Sequence, residues 1–202
     1  MRPRLSESTI PLRQISVDSV HEKNIRHGHI STLHIWPARR PLATCRAMIL
    51  ATLLSDPGNE IARREIGERI AGKLVSKRLK GGNKDPVQKE TEGGILRWGR
   101  QEELLLKQFC IKIRDALGGR RPRILDPFAG GGAVPLEAMR LGCETFASDL
   151  SPVSWFILRC ALYYPRLVGQ EKLPLPKFAL QDQAFATALV KARGAKTKVQ
   201  IR

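Results

Sequence analysis

The chain is short of acid. Its 202 residues carry 19 Asp and Glu against 35 Lys and Arg, a formal net charge of +16. That imbalance favours a polyanionic partner, most simply nucleic acid, through electrostatic steering and counterion release. The blander readings are solubility alone or a ribosome-like basic protein. Long apolar runs are also missing. No segment approaches the roughly 18 continuous apolar residues of a membrane span. The N-terminus has no apolar run of the signal-peptide kind. The expectation is therefore a cytoplasmic protein with no membrane partner. Cysteine is sparse, at positions 45, 110, 143 and 160, and no two form a Cys-x-x-Cys pair. That argues against a zinc site, and the mostly apolar surroundings suit reduced core thiols. Apolar residues still make up 42% of the chain, enough for a sizeable core.

The positive charge is unevenly spread. Residues 60–123 hold 17 basic and 9 acidic residues, and residues 166–202 hold 8 and 2. Between them, residues 126–160 hold only Arg140 and Arg159 against Asp126, Glu137, Glu144 and Asp149. A near-neutral stretch flanked by basic ones suits a cationic small molecule bound beside an anionic polymer.

Residues 1–20 read as an irregular lead-in. All four histidines fall in the next stretch, HEKNIRHGHISTLHIWPARR, at 21, 27, 29 and 34. Pro41 opens a helical run, PLATCRAMILATLL, which Asp56-Pro57-Gly58 ends. Ile61, Ile66, Ile70 and Leu74 predict a basic helix over 60–79, and KGGNKDPVQKETEGG at 80–94 reads as a loop. A further helix is predicted over 100–117, stopped by Gly118-Gly119. The pattern then changes to a strand (RILDPF), a glycine turn, a helix (AVPLEAMRL), a strand (TFAS) and a helix from Pro152 to Tyr164. That order is a βαβ unit and implies a parallel sheet.

The sharpest local signal is Ile124-Leu125-Asp126-Pro127-Phe128-Ala129-Gly130-Gly131-Gly132. Glycines at the carboxyl end of a strand let the backbone turn tightly and approach a ligand. Asp149 follows at the end of the next strand, where a carboxylate can accept the ribose hydroxyls of an adenosine. A P-loop fits poorly because no Gly-Lys-Ser/Thr follows the glycines. A dinucleotide fingerprint fits poorly, since it needs a glycine where Pro135 stands. An acid inside the glycine loop suits a cationic ligand without phosphate. The remaining alternative is a tight turn that binds nothing.

This run resembles the cofactor motif of amino-methylating DNA methyltransferases, commonly Asp-Pro-Phe followed by glycines. The resemblance implies S-adenosyl-L-methionine as cofactor, with Asp126 at its amino-acid end, Phe128 packed on it and Gly130 and Gly132 lining the loop. Pro127 and Ala129 belong to the same loop. Asp149 matches the ribose-binding acid, and Leu150-Ser151-Pro152 resembles the family's Asp-x-Asn-Pro continuation, with Ser151 in place of Asn. Residues 24–57 in turn resemble the N-terminal module of large adenine-specific DNA methylases, a domain of unknown function. That family has two tryptophans before Ala-Arg-Arg-Pro where this chain has Trp36-Pro37. In related enzymes a segment before the glycine motif folds over the methionine end of the cofactor, and this segment is a candidate for that role. Arg39 and Arg40 are candidates for phosphate or cofactor carboxylate, or else a helix-entry pair salt-bridged to the core; Trp36 is a candidate for stacking on a base, and His27 and His29 are hydrogen-bonded structural histidines or contacts to DNA. No metal is expected.

The resemblance has a gap. Enzymes that methylate an exocyclic amine use a polar residue followed by Pro-Pro and an aromatic to hold the flipped base, and this sequence has no Pro-Pro dipeptide. Four regions are expected: the His/Arg/Trp module (1–60), a basic helical linker (61–119), the cofactor-binding βαβ core (120–165) and a basic tail (166–202). The expected class is α/β, a partial Rossmann-like methyltransferase fold behind a mainly helical N-terminal module. The functional expectation is the cofactor-binding part of a DNA adenine-N6 methyltransferase, inactive alone, as a truncated reading frame or a split subunit whose second polypeptide brings the catalytic motif. The alternatives are a non-catalytic basic DNA-binding module and part of an RNA methyltransferase.

Overall fold

The computed structural model describes residues 3–36, 39–78, 87–100, 103–168, 184 and 187. The chain divides into two compact units, 1–165 and 166–202. Beyond Val168, the basic tail expected over 166–202 lies outside the described residues, apart from positions 184 and 187.

The organising element of the first unit is α3 (Leu42–Leu53), whose sequence is apolar nearly all round and which is buried accordingly. Leu42, Ala43, Ala47 and Leu50 are almost completely enclosed. Pro41 precedes it in extended geometry, and Leu54 closes it with an N–H to the Leu50 carbonyl. Packed against α3 are α1 (Leu5–Ser8), α2 (Leu12–Lys23), α5 (Glu103–Ala116) and α6 (Ala133–Arg140). One continuous core holds Leu5, Ile15, Leu50, Ile70, Ile95, Phe109, Ile113, Ala138 and Leu141. The N-terminal module and the glycine-turn region therefore share their interior.

Where an irregular lead-in was expected, the described residues form two helices, α1 and α2. The inward face of α2 is Ile15, Asp18, Ser19 and Glu22, correctly spaced for a helix face but polar at three of four positions, so no apolar periodicity announces it. The helix predicted over 60–79 is shorter than expected. α4 (Glu60–Ala71) starts at Asn59, whose side chain accepts the Ala62 N–H at 2.8 Å, and stops at Gly72 with φ +75°. Leu74 then lies in a strand. β1 (Lys73–Arg78) pairs antiparallel with β2 (Val87–Glu92), in register from Lys73↔Glu92 to Arg78↔Val87. Much of what composition suggested as loop is thus hairpin.

The βαβ expectation is met as a parallel pair. β3 (Arg123–Asp126) and β4 (Glu144–Ala147) run side by side, Arg123 opposite Glu144 and Asp126 opposite Ala147, with α6 as the crossover. After β4 come α7 (Pro152–Leu158), a π-helical turn (Arg159–Tyr163) and α8 (Tyr164–Val168). The described chain is a mixed α/β structure with small sheets, and none of its described helices is long and apolar enough to cross a membrane.

Candidate functional site

The parallel pairing places the carboxyl ends of β3 and β4 side by side, and the loops that follow are stitched together. The Ser148 N–H donates to the Asp126 carbonyl at 3.0 Å, and the Ala129 N–H to the Ser148 carbonyl at 3.0 Å. Asp149 fastens the glycine turn: Oδ2 accepts the Gly130 N–H at 2.8 Å and Oδ1 the Ser151 N–H at 2.9 Å. These donors, Ser151 first and then Gly130, hold the Asp149 carboxyl below the ordinary range. The Ser154 hydroxyl donates to the Gly130 carbonyl from α7. Asp126 is half-buried and, among the described residues, accepts only the Phe128 N–H, at 3.2 Å, leaving carboxylate lone pairs toward the space in front of the turn.

The facing wall comes from the His/Arg/Trp segment, and one buried acid positions it. Glu22, on α2, caps the first turn of α3 with both oxygens, accepting the Leu42 N–H at 2.9 Å and the Ala43 N–H at 3.0 Å. The same carboxylate lies 3.5 Å from the Arg39 guanidinium. It is also 3.2 Å from His29 Nε2, close enough for electrostatic attraction but not aligned as a hydrogen bond. His29 is 2% exposed and packs edge-on against Trp98. Its Nδ1 accepts the Ser31 N–H and lies 3.0 Å from Arg39 Nη1. Because a guanidinium can only donate, Nδ1 is the acceptor nitrogen and the ring proton sits on Nε2, facing Glu22. Burial lowers the His29 pKa, with Glu22 opposing, which favours this neutral ring. Arg39 is thereby anchored from behind, while Arg40 is exposed.

Between the two walls lies a cleft of about 350 Å³. Asp126, Phe128, Ala129 and Gly130 line one side of it, and Trp36, Arg39 and Arg40 the other. Two sequence motifs about 90 residues apart therefore meet. The Trp36 indole rests on the glycine turn: a Cβ built on Gly130 (φ +50°) would stand 2.8 Å from Trp36 Nε1. Glycine is required there twice over, by the left-handed backbone and by the ring.

The other expected residues sit elsewhere. Asp149 stands behind the glycine turn and does not line the cleft. Leu150 is fully exposed. Gly132 begins α6 and is packed against Leu158 and Leu162, so it serves the helix contact. Pro127 is exposed, and its carbonyl accepts the Ser148 hydroxyl. His27 is exposed and outside the cleft, and His29 lies beneath Arg39, sealed from solvent.

Residues 9–75 match the model of a family described as a protein of unknown function (DUF1156). The matched stretch contains Glu22, His29, Trp36, Arg39 and Arg40, one whole wall of the cleft, and ends well before β3. No curated protein and no solved structure matches the chain.

Three residues that build the site are invisible to motif reading. Glu22 is the first. Arg46 and Glu137 are the others, a buried pair joining α3 to α6. Arg46 Nε donates to Glu137 Oε2 at 2.5 Å and Nη2 to Oε1 at 3.0 Å, while Nη1 reaches the Ile95 carbonyl. The available signal was a charge in the middle of each of two apolar helical runs, LATCRAMILATL and AVPLEAMR, because a charge at an interior position needs a partner.

Proposed function

We propose that this cleft binds S-adenosyl-L-methionine and that the chain is the cofactor-binding part of a DNA adenine-N6 methyltransferase of Rossmann-like architecture. The observation that carries the reading is the bipolar cleft. Asp126 stands on one wall, Arg39 and Arg40 on the other, and Trp36 and Phe128 supply apolar surface. A ligand with an ammonium and a sulfonium, a carboxylate and an adenine finds a complement for each group there. The volume falls within the usual range of small-molecule sites, about 300–1,000 Å³. When bound, the cofactor supplies an electrophilic methyl group.

The chain's own residues would bind and orient it. Asp126 would accept the ammonium, and Arg39, held rigid by Glu22 and His29, would face the carboxylate with Arg40. Asp149 commits two of its roughly four lone-pair sites to backbone N–H groups. It stands behind the turn, so it serves the ligand by keeping the turn in shape, and the ribose role expected of it is not carried by this geometry. Trp36 must move aside for a ligand to touch the Gly130 backbone, and in doing so it becomes a face for the ligand to pack on. Holding the target amine requires a segment this sequence lacks, so methyl transfer calls for a second polypeptide region carrying a Pro-Pro-aromatic run. The excess of positive charge supports DNA as the substrate, with RNA or a non-catalytic nucleic-acid-binding role as the second reading.

Calorimetry with S-adenosylmethionine tests the proposal. Micromolar-range binding is expected, weakened by Asp126→Asn and by Asp149→Ala, each removing charge-assisted hydrogen bonds of about 1.5–3 kcal/mol. Saturating ligand should also change the Trp36 contribution to fluorescence, as judged against Trp36→Phe. No heat of binding in the unaltered chain, or affinity indifferent to both substitutions, overturns the assignment.

A further inference from the structure

From the face that α7 turns away from the glycine loop, we infer a second binding site, one that stacks the unpaired bases of single-stranded nucleic acid. The helix is anchored on its inner side, where Leu158 and Leu162 pack against Ala129, Leu136 and Met139. Its outer side is aromatic. Trp155 is 57% exposed, and Phe156, Tyr163 and Tyr164 also face solvent. Both tyrosines of the chain and one of its three tryptophans stand in this stretch of ten residues.

A cation sits at the centre. The Arg159 guanidinium lies 4.0 Å from the Tyr163 ring centre and 5.4 Å from those of Trp155 and Tyr164. The π-helical turn, Arg159–Tyr163, brings this about. Trp155 and Tyr163 are four residues to either side of Arg159, and the widened turn carries Tyr164, five residues on, to the same side. Arg159 has no carboxylate within ion-pairing distance among the described residues, and its Nε is shielded from water without a hydrogen-bond partner. A cation held by rings alone leaves its charge uncompensated.

These groups define the partner this face can take. It must offer flat π-surface to exposed rings and an anion to a guanidinium, and it must tolerate a chain of net charge +16. A second copy of this chain brings the wrong charge. An apolar protein surface would bury an unpaired guanidinium, which is strongly unfavourable. A duplex keeps its base faces hidden. Single-stranded nucleic acid brings bases and phosphates together. This site rests on the nucleic-acid half of the function proposed above and not on the cofactor half.

The test uses the full chain and three probes: a dT homopolymer, a duplex of equal length, and heparin as a polyanion without bases. The dT strand is expected to quench tryptophan fluorescence and to bind more tightly than either the duplex or heparin at equal salt. Trp155→Ala should weaken dT binding about tenfold and leave heparin unchanged, while Trp155→Phe keeps most of the affinity. Thermal melts check that the variants fold. If Trp155→Ala does not fold, photo-crosslinking of 5-iodo-dU strands to the unaltered chain should map to Trp155, Tyr163 or Tyr164. Crosslinks confined elsewhere, equal affinity for dT and heparin, or dT binding indifferent to Trp155→Ala overturns the site and leaves plain electrostatic attraction. Self-association abolished by Trp155→Lys also overturns it, assigning the face to a protein partner. Failure to bind any polyanion removes the nucleic-acid reading as well. Loss of S-adenosylmethionine binding with dT binding intact touches only the cofactor assignment.

Discussion

Glu22 shows how much one side chain can decide. It is 1% exposed, and it meets two helix N–H groups, a guanidinium and an imidazole. Removing it leaves Arg39 without its anchor and the first turn of α3 without a cap. Glu22→Ala is therefore expected to cost about 3–5 kcal/mol, the scale of a broken buried ion pair, in urea unfolding followed by circular dichroism. A loss below about 1 kcal/mol would mean that the carboxylate behaves as a surface charge. Asp149 makes a pH-dependent counterpart. Its folded-state pKa is depressed by the Ser151 and Gly130 N–H groups, so its contribution is fully present above the ordinary Asp value. It disappears only as pH falls through the lower folded value. Exchange protection of the Gly130 amide, corrected for intrinsic rate, should hold from neutral pH to the ordinary carboxylate range and collapse below it. Protection that disappears already near pH 6 would place the clamp elsewhere. The thiols obey the same logic of burial, which pushes Cys45 up to about 12 and Cys143 to about 11. Both are the inert core thiols their apolar neighbours suggest, whereas Cys160 is exposed.

Elements were legible in the sequence where their periodicity was apolar and hidden where it was polar. α3, α5, α6 and the β3–β4 pair follow the pattern of Leu, Ile, Val and Phe. α2 escaped because Asp18, Ser19 and Glu22 occupy its inner face. The β1–β2 hairpin escaped because its strands, KLVSKR and VQKETE, are mostly charged and polar. The site was half legible for the same reason. Asp126 and the glycines announce themselves by type and spacing. That Trp36 and Arg39 lie opposite them depends on Arg46 and Glu137, whose partnership spans 91 positions. That pair permits a clean measurement. Arg46→Met and Glu137→Leu should each destabilise by about 3–5 kcal/mol, because each takes the two-point partner from a buried charge, Glu137 keeping only Arg140 in the first. The double variant should lose far less than their sum, because only the part-exposed Arg140, which also pairs with Glu137 at 3.2 Å, is then left without its carboxylate. Additive losses in the thermodynamic cycle would show that the two helices are joined by packing alone.

At the scale of the whole molecule, the question is which of the many cations are available to a polyanion. A net charge says nothing of where a strand lies, but the ion pairs do. Along α4, the hairpin and just beyond it, several cations are already engaged: Arg64 and Lys73 with Glu68, Lys77 and Arg97 with Glu90. On α5 and just beyond it, Lys107, Lys112, Arg120 and Arg121 are exposed and have no carboxylate partner among the described residues. A phosphate arriving at the first group must displace a carboxylate, whereas at the second it displaces only salt ions. Counterion release therefore favours the α5 side, and substitutions there should flatten the salt dependence by about one unit of slope for each phosphate no longer neutralised. Lys107→Glu with Lys112→Glu is expected to weaken oligonucleotide binding severalfold more than Lys73→Glu with Lys77→Glu, measured by anisotropy across a salt series. Each charge reversal on the hairpin also frees a glutamate, so equal effects from the two pairs would mean that a strand displaces those glutamates and reads total charge alone. A larger effect from the hairpin pair would move the polyanion to the opposite group of cations, and free charge would then not be what selects its path.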